Sequence, residues 1–263
     1  MKLNAKRIEK HLKNLKVNSF YCVNSTNTLA KKLAENGADE STVVTAIKQT
    51  SGKGRIGRTF LSKKGGVYFS VILKPKKSAQ DTLFITVAAA VAAARAIEAV
   101  SGKKCDIKWV NDVYINDKKV CGILTEGSFK ANGTLDYAIL GVGINLFAPK
   151  GGFPSNLPRA NSVFDKKRKI LQKNRVKEHI IATFLTEFFA FYENLSQKEF
   201  IKEYQERSFL TGKEITYTKD SVTYKATVIG IDDEAHLVVK SGDETKILSH
   251  GEIQINNMEQ YAV

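Results

Sequence analysis

The pattern of hydrophobic and polar positions divides the chain into a long mixed region and a shorter strand-rich one. Apolar, β-branched runs predict strands at residues 42–48 and 67–73. Helical periodicity predicts helices at residues 4–15, 25–35, 78–100, 175–194 and 197–207. The helix at 25–35 has a polar first residue and Gly37 beyond its end, and Ser78 with Asp81 resembles a capping box.

Two segments between the long helices predict further strands. Residues 105–128 read as a strand, a short turn at 115–117 and a second strand. Residues 135–146 form a strand with glycines, which let another group approach its backbone closely. Residues 151–159 read as a loop rich in proline and glycine.

From Thr211 onward the pattern changes to short alternating strands with turn residues between them. That spacing is typical of a small β-barrel. We therefore predict an α/β (α+β) fold with a domain boundary near Phe209.

Composition narrows the functional classes. A chain of 263 residues with 43% hydrophobic content supports one large domain, or one large and one small. The net charge of +14 raises the question of nucleic acid. However, the lysines are spread along the chain, and no basic segment interleaved with aromatics and no zinc-finger spacing is present. A solvated, lysine-rich surface is the favoured interpretation.

Cysteine usage and the N-terminal sequence predict a cytoplasmic protein. The three cysteines form no C-x-x-C pair, and four scattered histidines give no structural metal site. The first residues contain no apolar stretch typical of a signal peptide. The longest uncharged, mostly apolar run, Thr82 to Ala94, is too short to span a bilayer, so we expect no membrane association.

The loop "QTSGKGRIGRTF" at 49–60 imitates known phosphate binders. Gly52, Gly54 and Gly57 fit G-x-G-x-x-G, and the same stretch nearly fits a P-loop. Both motifs need a helix straight after the loop, whereas a second strand follows here. Protein kinases place such a loop between strands, but no H-R-D or D-F-G motif occurs downstream. A flexible, solvated hairpin is the alternative to anion binding.

The choice of arginine in this loop favours anion binding. The chain has 33 lysines and 8 arginines, yet Arg55 and Arg58 lie three residues apart here. Arginine differs from lysine in its planar fork, which suits phosphate and carboxylate groups. The loop is therefore predicted to hold an anion with backbone N–H groups and guanidinium groups.

Four motifs in order resemble those of biotin protein ligases. They are "STN" at 25–27, the loop above, "KWVNDVYINDKKVCGI" at 108–123 and "GVGINL" at 141–146, and the resemblance spans about residues 19–257. It implies a mixed-sheet catalytic domain of the biotin/lipoate ligase type at 1–208, with a short leader helix at 1–18. A small C-terminal SH3-like β-barrel would follow at 209–263.

The resemblance also implies the chemistry. The family joins biotin to ATP with Mg²⁺, giving biotinyl-5'-AMP and pyrophosphate. It then passes the biotinyl group to one lysine of a biotin carboxyl carrier domain of a carboxylase. Two anions must meet in the first step, which glycine amides and clustered cations allow. A loop that closes over the adenylate would keep water away from it.

Residue roles follow from position in the motifs. The implied catalytic residues are Lys119, Arg55 and Asp112, with Asp112 also reaching Mg²⁺ through the phosphates. The implied biotin contacts are Ser25, Thr26, Asn27, Gln49, Lys53, Gly54, Arg55 and Lys119. The implied ATP and adenylate contacts are Gly52, Lys53, Arg55, Arg58, Phe60, Asn111, Asp112 and Asn145.

Structural alternatives stand beside some of these roles. Ser25 could serve only as a helix N-cap, and Asn111 with Asp112 could form only a turn. Lys119 has the weakest structural alternative, because a strand flanked by core residues seldom aims a lysine inward without a purpose.

The chain departs from the family pattern at three positions and at its N-terminus. Lys53 replaces the first arginine of the loop, Val110 replaces a proline, and Phe60 stands where tryptophan is common. Residues 3–14 resemble only the segment that joins a DNA-binding domain to the ligase in other members. We therefore expect a monofunctional ligase without specific DNA binding, and the resemblance is compatible with a homodimer.

Three competing functions remain open from the sequence. A lipoate ligase or lipoyl transferase is the nearest, and the two loop arginines with "KWVND" favour biotin over it. A DNA-binding regulator is suggested by the charge and would bind an operator at moderate salt. A non-catalytic interaction module built on the barrel would release no pyrophosphate.

Overall fold

The computed structural model describes residues 2–10, 12–75, 81–165, 170–219, 222–249 and 253–255. The helices are α1 Ala5–Glu9, α2 Thr26–Glu35, α3 Asp81–Ser101, α4 Ile170–Glu193 and α5 Phe200–Glu206, with a 3-10 turn at Leu195–Gln197. The strands of the first sheet are β1 Lys16–Val23, β2 Thr42–Gln49, β3 Val67–Leu73, β4 Asp106–Lys108, β5 Asp112–Ile115, β6 Lys118–Phe129 and β7 Leu135–Ile144. Those of the second sheet are β8 Glu214–Lys219, β9 Val222–Ile231, β10 Leu237–Ser241, β11 Glu244–Leu248 and β12 Ile253–Ile255.

The first sheet has seven strands in the order β1-β2-β3-β7-β6-β5-β4. Strands β1 and β2 are parallel, and the other neighbours are antiparallel. Helices α3 and α4 cover one face, while α2 covers the other with a smaller apolar cluster that contains Ala30, Val44 and Ile72. The sheet is therefore buried on both faces, which agrees with the nearly continuous apolar runs of β2 and β3.

The second sheet has five antiparallel strands in the order β11-β10-β9-β8-β12 and packs against the first. Trp109 donates its indole N–H to the carbonyl oxygen of Ala235 at 2.9 Å, and the apolar residues of both sheets belong to one buried cluster. The second sheet begins at Glu214, while Phe209 still stacks on Tyr114 of the first sheet at 5.0 Å. The predicted boundary at 208/209 therefore stays a prediction.

The structure confirms the mixed fold predicted from the sequence. It also confirms the strands β2, β3 and β7 and the short strands of the C-terminal region. The predicted helix at 4–15 is wrong beyond Glu9. Its carboxylate accepts the backbone N–H of Val17 at 2.8 Å, and Asn14 has a positive φ of 61° that turns the chain into β1. The proposed capping residue Ser78 lies outside the described residues.

The single strand predicted at the start of 105–128 is two short strands, β4 and β5. Residues 109–111 form a turn between them, and the Trp109–Val110 peptide bond is cis. The predicted turn before β6 is confirmed, with Asn116 and Asp117 both at positive φ.

The apolar segment in helix α3 is longer than predicted from the sequence. The stretch Thr82–Ser101 is long and apolar enough, by length and composition, to cross a membrane. However, 67% of its most apolar window is buried inside the fold, where the helix packs against α4, α5 and β6. The composition of α3 is therefore accounted for by its place in the core.

Helix α4 carries one buried charge that the fold must tolerate. The side chain of Lys177 is 3% exposed, and within the part of the chain that the structure describes no carboxylate pairs with it. Burial lowers the pKa of Lys177 from its ordinary 10.5 to about 8, and the nearby Lys173 adds to the shift. The neighbouring Glu178 is engaged elsewhere, with Arg7 and the backbone N–H of Asn4.

Lys177→Met should therefore stabilise the protein. Below pH 8 the lysine is charged in both the folded and the unfolded chain, so its burial penalty of about 3 kcal/mol is fully present. Between pH 8 and 10.5 the folded chain releases the proton first, so the stability of the parent rises with pH. Urea unfolding should give a gain near pH 7 that shrinks toward pH 10. An equal gain at both pH values would contradict the assignment.

Candidate functional site

A cavity of about 280 Å³ opens where the glycine loop crosses the first sheet. Its walls come from the start of α2, the loop at 49–60, strands β5 to β7, and Ile253 of the second sheet. It brings together most of the predicted site residues: Ser25, Thr26, Asn27, Gln49, Lys53, Gly54, Arg55, Arg58, Phe60, Asn111, Asp112 and Lys119.

One end of the cavity is a chain of neutral hydrogen-bonding groups. Thr26 donates its backbone N–H and its hydroxyl to Gln49 Oε1, at 2.7 and 3.0 Å. Ser70 Oγ lies 2.8 Å from Thr26 Oγ1 and 2.6 Å from Asn27 Oδ1, and its single proton can serve only one of them at a time. These neutral groups therefore hold one another in fixed positions, and a neutral polar ligand would exchange some of these hydrogen bonds for its own. Ser25 lines the cavity and is also the N-cap of α2, so the helix-capping role considered from the sequence is present as well.

Glycines on β6 and β7 allow side chains to lie directly on the strands. A Cβ at Gly141 would sit 2.0 Å from Asn27 Oδ1, and one at Gly143 would sit 2.7 Å from the ring of Phe60. Gly122 faces the same ring at 3.1 Å. The close approach predicted from these glycines is thus made by groups of the chain itself.

The glycine loop is a closed hairpin rather than an open coil. Gly54 donates its N–H to the Arg58 carbonyl at 2.7 Å, and Lys53 and Thr59 form an antiparallel bridge. Gly57 has a positive φ of 69° with open space around it. Gly52 is different, because a Cβ there would meet Ser62 Oγ at 2.4 Å. A side chain at position 52 would therefore clash, and Gly52 is needed for close packing of the hairpin on Ser62.

The other end of the cavity is cationic, and four of its cations have named oxygen partners. Lys119 Nζ lies 2.6 Å from Asp112 Oδ1, and that oxygen has no other hydrogen-bond partner. Arg55 donates to Asn111 Oδ1 at 3.2 Å, and Lys53 pairs with Glu126 at 3.1 Å. Asp112 therefore neutralises Lys119, a pairing that the sequence did not predict.

The fourth of these cations, Lys108, joins the two sheets at the cavity. Its ammonium donates to the carbonyl oxygen of Ile253 at 3.3 Å. Burial lowers its pKa, the nearby Lys119, Arg159 and Arg58 add to the effect, and Asp112 opposes it. The local field is thus strongly positive and favours an anionic ligand.

Two predicted residues do not line this cavity. Gly52 is part of the hairpin but not of the cavity wall, and Asn145 lines a separate small cavity together with Tyr68 and Phe147. The backbone of Asn145 is fixed by Val120 and Val163, at 2.7 and 2.9 Å. Phe60 lines the main cavity but packs on the sheet glycines.

Three residues of the site were missed from the sequence. Ser70 is the one polar residue of the buried strand β3, which is a signal that could have identified it. Lys108 stood within a quoted motif without an assigned role. Glu126 accepts a hydrogen bond from Asn27 Nδ2 at 2.7 Å and pairs with Lys53. The sequence does not mark Glu126 as a site residue, because β6 is only partly buried at that end and a glutamate there is ordinary.

The described side chains at the cavity do not form a metal-binding site by themselves. Among the described residues, no group of three or more His, Cys, Asp or Glu side chains is placed to hold a metal ion. Asp112 is the one carboxylate in the cavity wall, and it already pairs with Lys119. A divalent ion here would need most of its ligands from a bound phosphate compound.

Comparisons with known proteins identify similar sequences and a similar fold. The biotin/lipoate A/B protein ligase family matches residues 19–145. The bifunctional ligase/repressor BirA of Bacillus spizizenii is 34% identical over 238 residues, which is 89% of this chain and 72% of that protein. The biotin–[acetyl-CoA-carboxylase] ligase of Paracoccus denitrificans is 37% identical over 131 residues, 49% of this chain and 54% of that protein.

Among solved structures, the biotin protein ligase from Aquifex aeolicus in complex with biotin and ATP aligns with a TM-score of 0.73. The two are 26% identical, and the alignment covers 93% of this chain and 99% of that one. The similarity therefore includes both sheets.

Gly141→Ala should force Asn27 out of its place and disturb the hydrogen-bonding end of the cavity. Overpacking of this kind costs about 1–3 kcal/mol, which corresponds to a drop in Tm of about 2–10 °C for a protein of this size. Gly230→Ala is the matched control, since a Cβ there meets nothing within 4 Å. Equal melting temperatures for the two variants would contradict the contact between Gly141 and Asn27.

Proposed function

This chain belongs to the biotin protein ligase family, and on that premise we propose how its cavity activates biotin with ATP and transfers it to a protein lysine. The observation that carries the proposal is the division of the cavity. A neutral hydrogen-bonding end built on Thr26, Asn27 and Gln49 faces an end built on cations. Biotin has the same division, with a neutral ureido ring at one end and a carboxylate at the other.

In the first step, the biotin carboxylate oxygen attacks the α-phosphorus of ATP, and pyrophosphate leaves. Both reactants are anions, so their approach is opposed by charge repulsion. Lys53, Arg55 and Lys119 lie along the cavity wall where the carboxylate and phosphate would meet. Fixed positive charges there stabilise the charge that develops on the phosphate oxygens.

For this step the cations must exchange their present partners for the substrates. Lys53 would leave Glu126 and Arg55 would leave Asn111 to contact the substrates. Lys119 would turn from Asp112 toward the reacting oxygens, which leaves that carboxylate available on the phosphate side. Arg58, at the end of the hairpin, adds charge on the phosphate side.

In the second step, a neutral lysine amine attacks the carbonyl carbon of biotinyl-5'-AMP. The new C–N bond replaces the C–O bond to phosphate, AMP leaves, and the amine loses a proton to water. The hairpin at 52–58 would hold the adenylate meanwhile, because this mixed anhydride hydrolyses in water. Carrier domains of carboxylases are the proposed acceptors, in line with the name of the Paracoccus denitrificans relative.

We propose that Mg²⁺ enters with ATP. Asp112 would reach it through the phosphates once Lys119 turns toward the reacting oxygens, and the other ligands would come from the nucleotide and water. The adenine would lie toward Phe60 and the small cavity at Asn145.

Four properties of the whole protein are also proposals. The free cysteines Cys22, Cys105 and Cys121 support a reducing, cytoplasmic location. Specific DNA binding and membrane association are not expected, and a homodimer is compatible with the fold. Gel shifts at moderate salt, membrane fractionation and light scattering test them.

The decisive experiment is incubation with ATP, Mg²⁺, biotin and a carrier domain, analysed by mass spectrometry. One biotinyl group should appear on one lysine, with pyrophosphate released. Lipoate in place of biotin tests the nearest rival. Labelling by lipoate alone would overturn the proposal.

Lys119→Ala should reduce adenylate formation by about two to three orders of magnitude, since it removes a charge aimed at the reacting oxygens. Pyrophosphate release with ATP and biotin measures the rate. Lys118→Ala is the matched control, because Lys118 is exposed and its ammonium donates to the Pro158 carbonyl, at 3.3 Å. Near-parent turnover by Lys119→Ala would show that its role is misassigned.

Arg55→Gly should release biotinyl-5'-AMP roughly tenfold to a hundredfold faster, since one charge-assisted hydrogen bond to the phosphate is lost. Released adenylate should label an unrelated lysine-rich protein, which streptavidin detects. Ile56→Gly in the same hairpin is the control, as Ile56 is 70% exposed. An unlabelled bystander with normal carrier labelling would argue against retention by Arg55.

A further inference from the structure

A second cavity adjoins the first on the far side of Arg55. It has a volume of about 260 Å³ and lies between the start of α3 and strand β6, and we name it the threonine pocket. Its own lining is Thr82, Leu83, Thr86, Val110, Thr125 and Ser249. No step described so far uses it.

The two cavities share a thin wall. Arg55, Ile123 and Leu124 line both of them. Asn111 holds this wall together, because its amide nitrogen donates to the Ile123 carbonyl at 2.7 Å while its oxygen accepts from Arg55 at 3.2 Å. Turning Arg55 to a bound adenylate would give up its contact with Asn111, which would open the wall beside the acyl group.

We infer that the threonine pocket is the entry channel for the acceptor lysine side chain. This inference rests on the proposed function. A lysyl arm has five heavy groups beyond Cα, and at about 30 Å³ each they need about 150 Å³. The threonine pocket is large enough for it, and Leu83 and Val110 supply apolar contacts for the methylenes.

The charges around the pocket suit a neutral amine. Among the described residues that line it there is no carboxylate, and the one charged group of that lining is the guanidinium of Arg55. A cation next to a desolvated ammonium lowers the pKa of that ammonium. An arriving lysine is thus driven toward the neutral form, which is the form that attacks a carbonyl.

One hydroxyl is placed to orient the amine. Thr86 donates its hydroxyl proton to the Thr82 carbonyl at 2.8 Å. Its oxygen lies 2.7 Å from Thr125 Oγ1, so Thr125 must be the donor between the two. As a donor to Thr86, Thr125 Oγ1 keeps its lone pairs, and from the pocket wall it can accept an amine N–H. The exposed Ser249 marks the mouth.

Blocking the channel should separate the two half-reactions. Thr82→Trp fills the pocket from a partly exposed position, so transfer from preformed adenylate to the carrier domain should slow by about tenfold to a hundredfold. Biotin-dependent ATP–pyrophosphate exchange should stay within about twofold of the parent. Hydroxylamine, a much smaller nucleophile, should still capture the bound adenylate. Thr134→Trp, at the far end of the β6–β7 hairpin, is the matched control.

Two smaller substitutions test the same inference in case the tryptophan variant misfolds. Thr125→Val removes the acceptor at nearly constant shape and should slow transfer by roughly twofold to tenfold, while Thr125→Ser should resemble the parent. Normal transfer by Thr82→Trp, or equal transfer by the valine and serine variants, would overturn the channel. Absence of exchange in the parent would instead overturn the proposed function.

Discussion

Repulsion between like charges is the constraint on which this site depends. Five cations line one small cavity, against a single carboxylate in its wall, in a chain whose net charge is already +14. Four of these cations have named local oxygen partners, which are of three chemical kinds. Lys119 has a carboxylate, Arg55 has a side-chain amide, and Lys108 has a backbone carbonyl. Arg55 and Lys108 bind neutral oxygens, which hold a cation more weakly than an anion does, so these two contacts order the cavity yet yield to a charged substrate.

The glycines of the sheet make the rest of the cavity possible. Asn27 and Phe60 lie on β7 at distances that no other residue would permit at Gly141 and Gly143. The cavity floor is therefore the bare backbone of two strands, with side chains laid across it. Hydrogen bonds run from Gln49 through Thr26, Ser70 and Asn27 to Glu126, which holds the loop lysine. The neutral and the cationic ends are thus parts of one network.

Sequence patterns predicted the elements but not the pairings between distant side chains. The runs at β2 and β3 and the motif residues Arg55, Asp112 and Lys119 were identifiable because local composition marks them. Glu126 and the threonine pocket were not, because their roles arise only when β6 is placed beside α3 and the hairpin. The length of α1 was overestimated for a similar reason. Its periodic pattern continues past Glu9, but a tertiary contact to Val17 ends the helix.

The contact between Lys108 and Ile253 gives the small second sheet a part in the chemistry of the first. The last described strand supplies a carbonyl that holds a cavity cation, and Trp109 anchors the same region to Ala235. Shortening the chain by its final strand would therefore leave a poorly hydrated ammonium without its oxygen, next to three other cations. The C-terminal sheet thus stabilises a positive charge that belongs to the first sheet. The two sheets are therefore expected to melt as one cooperative unit.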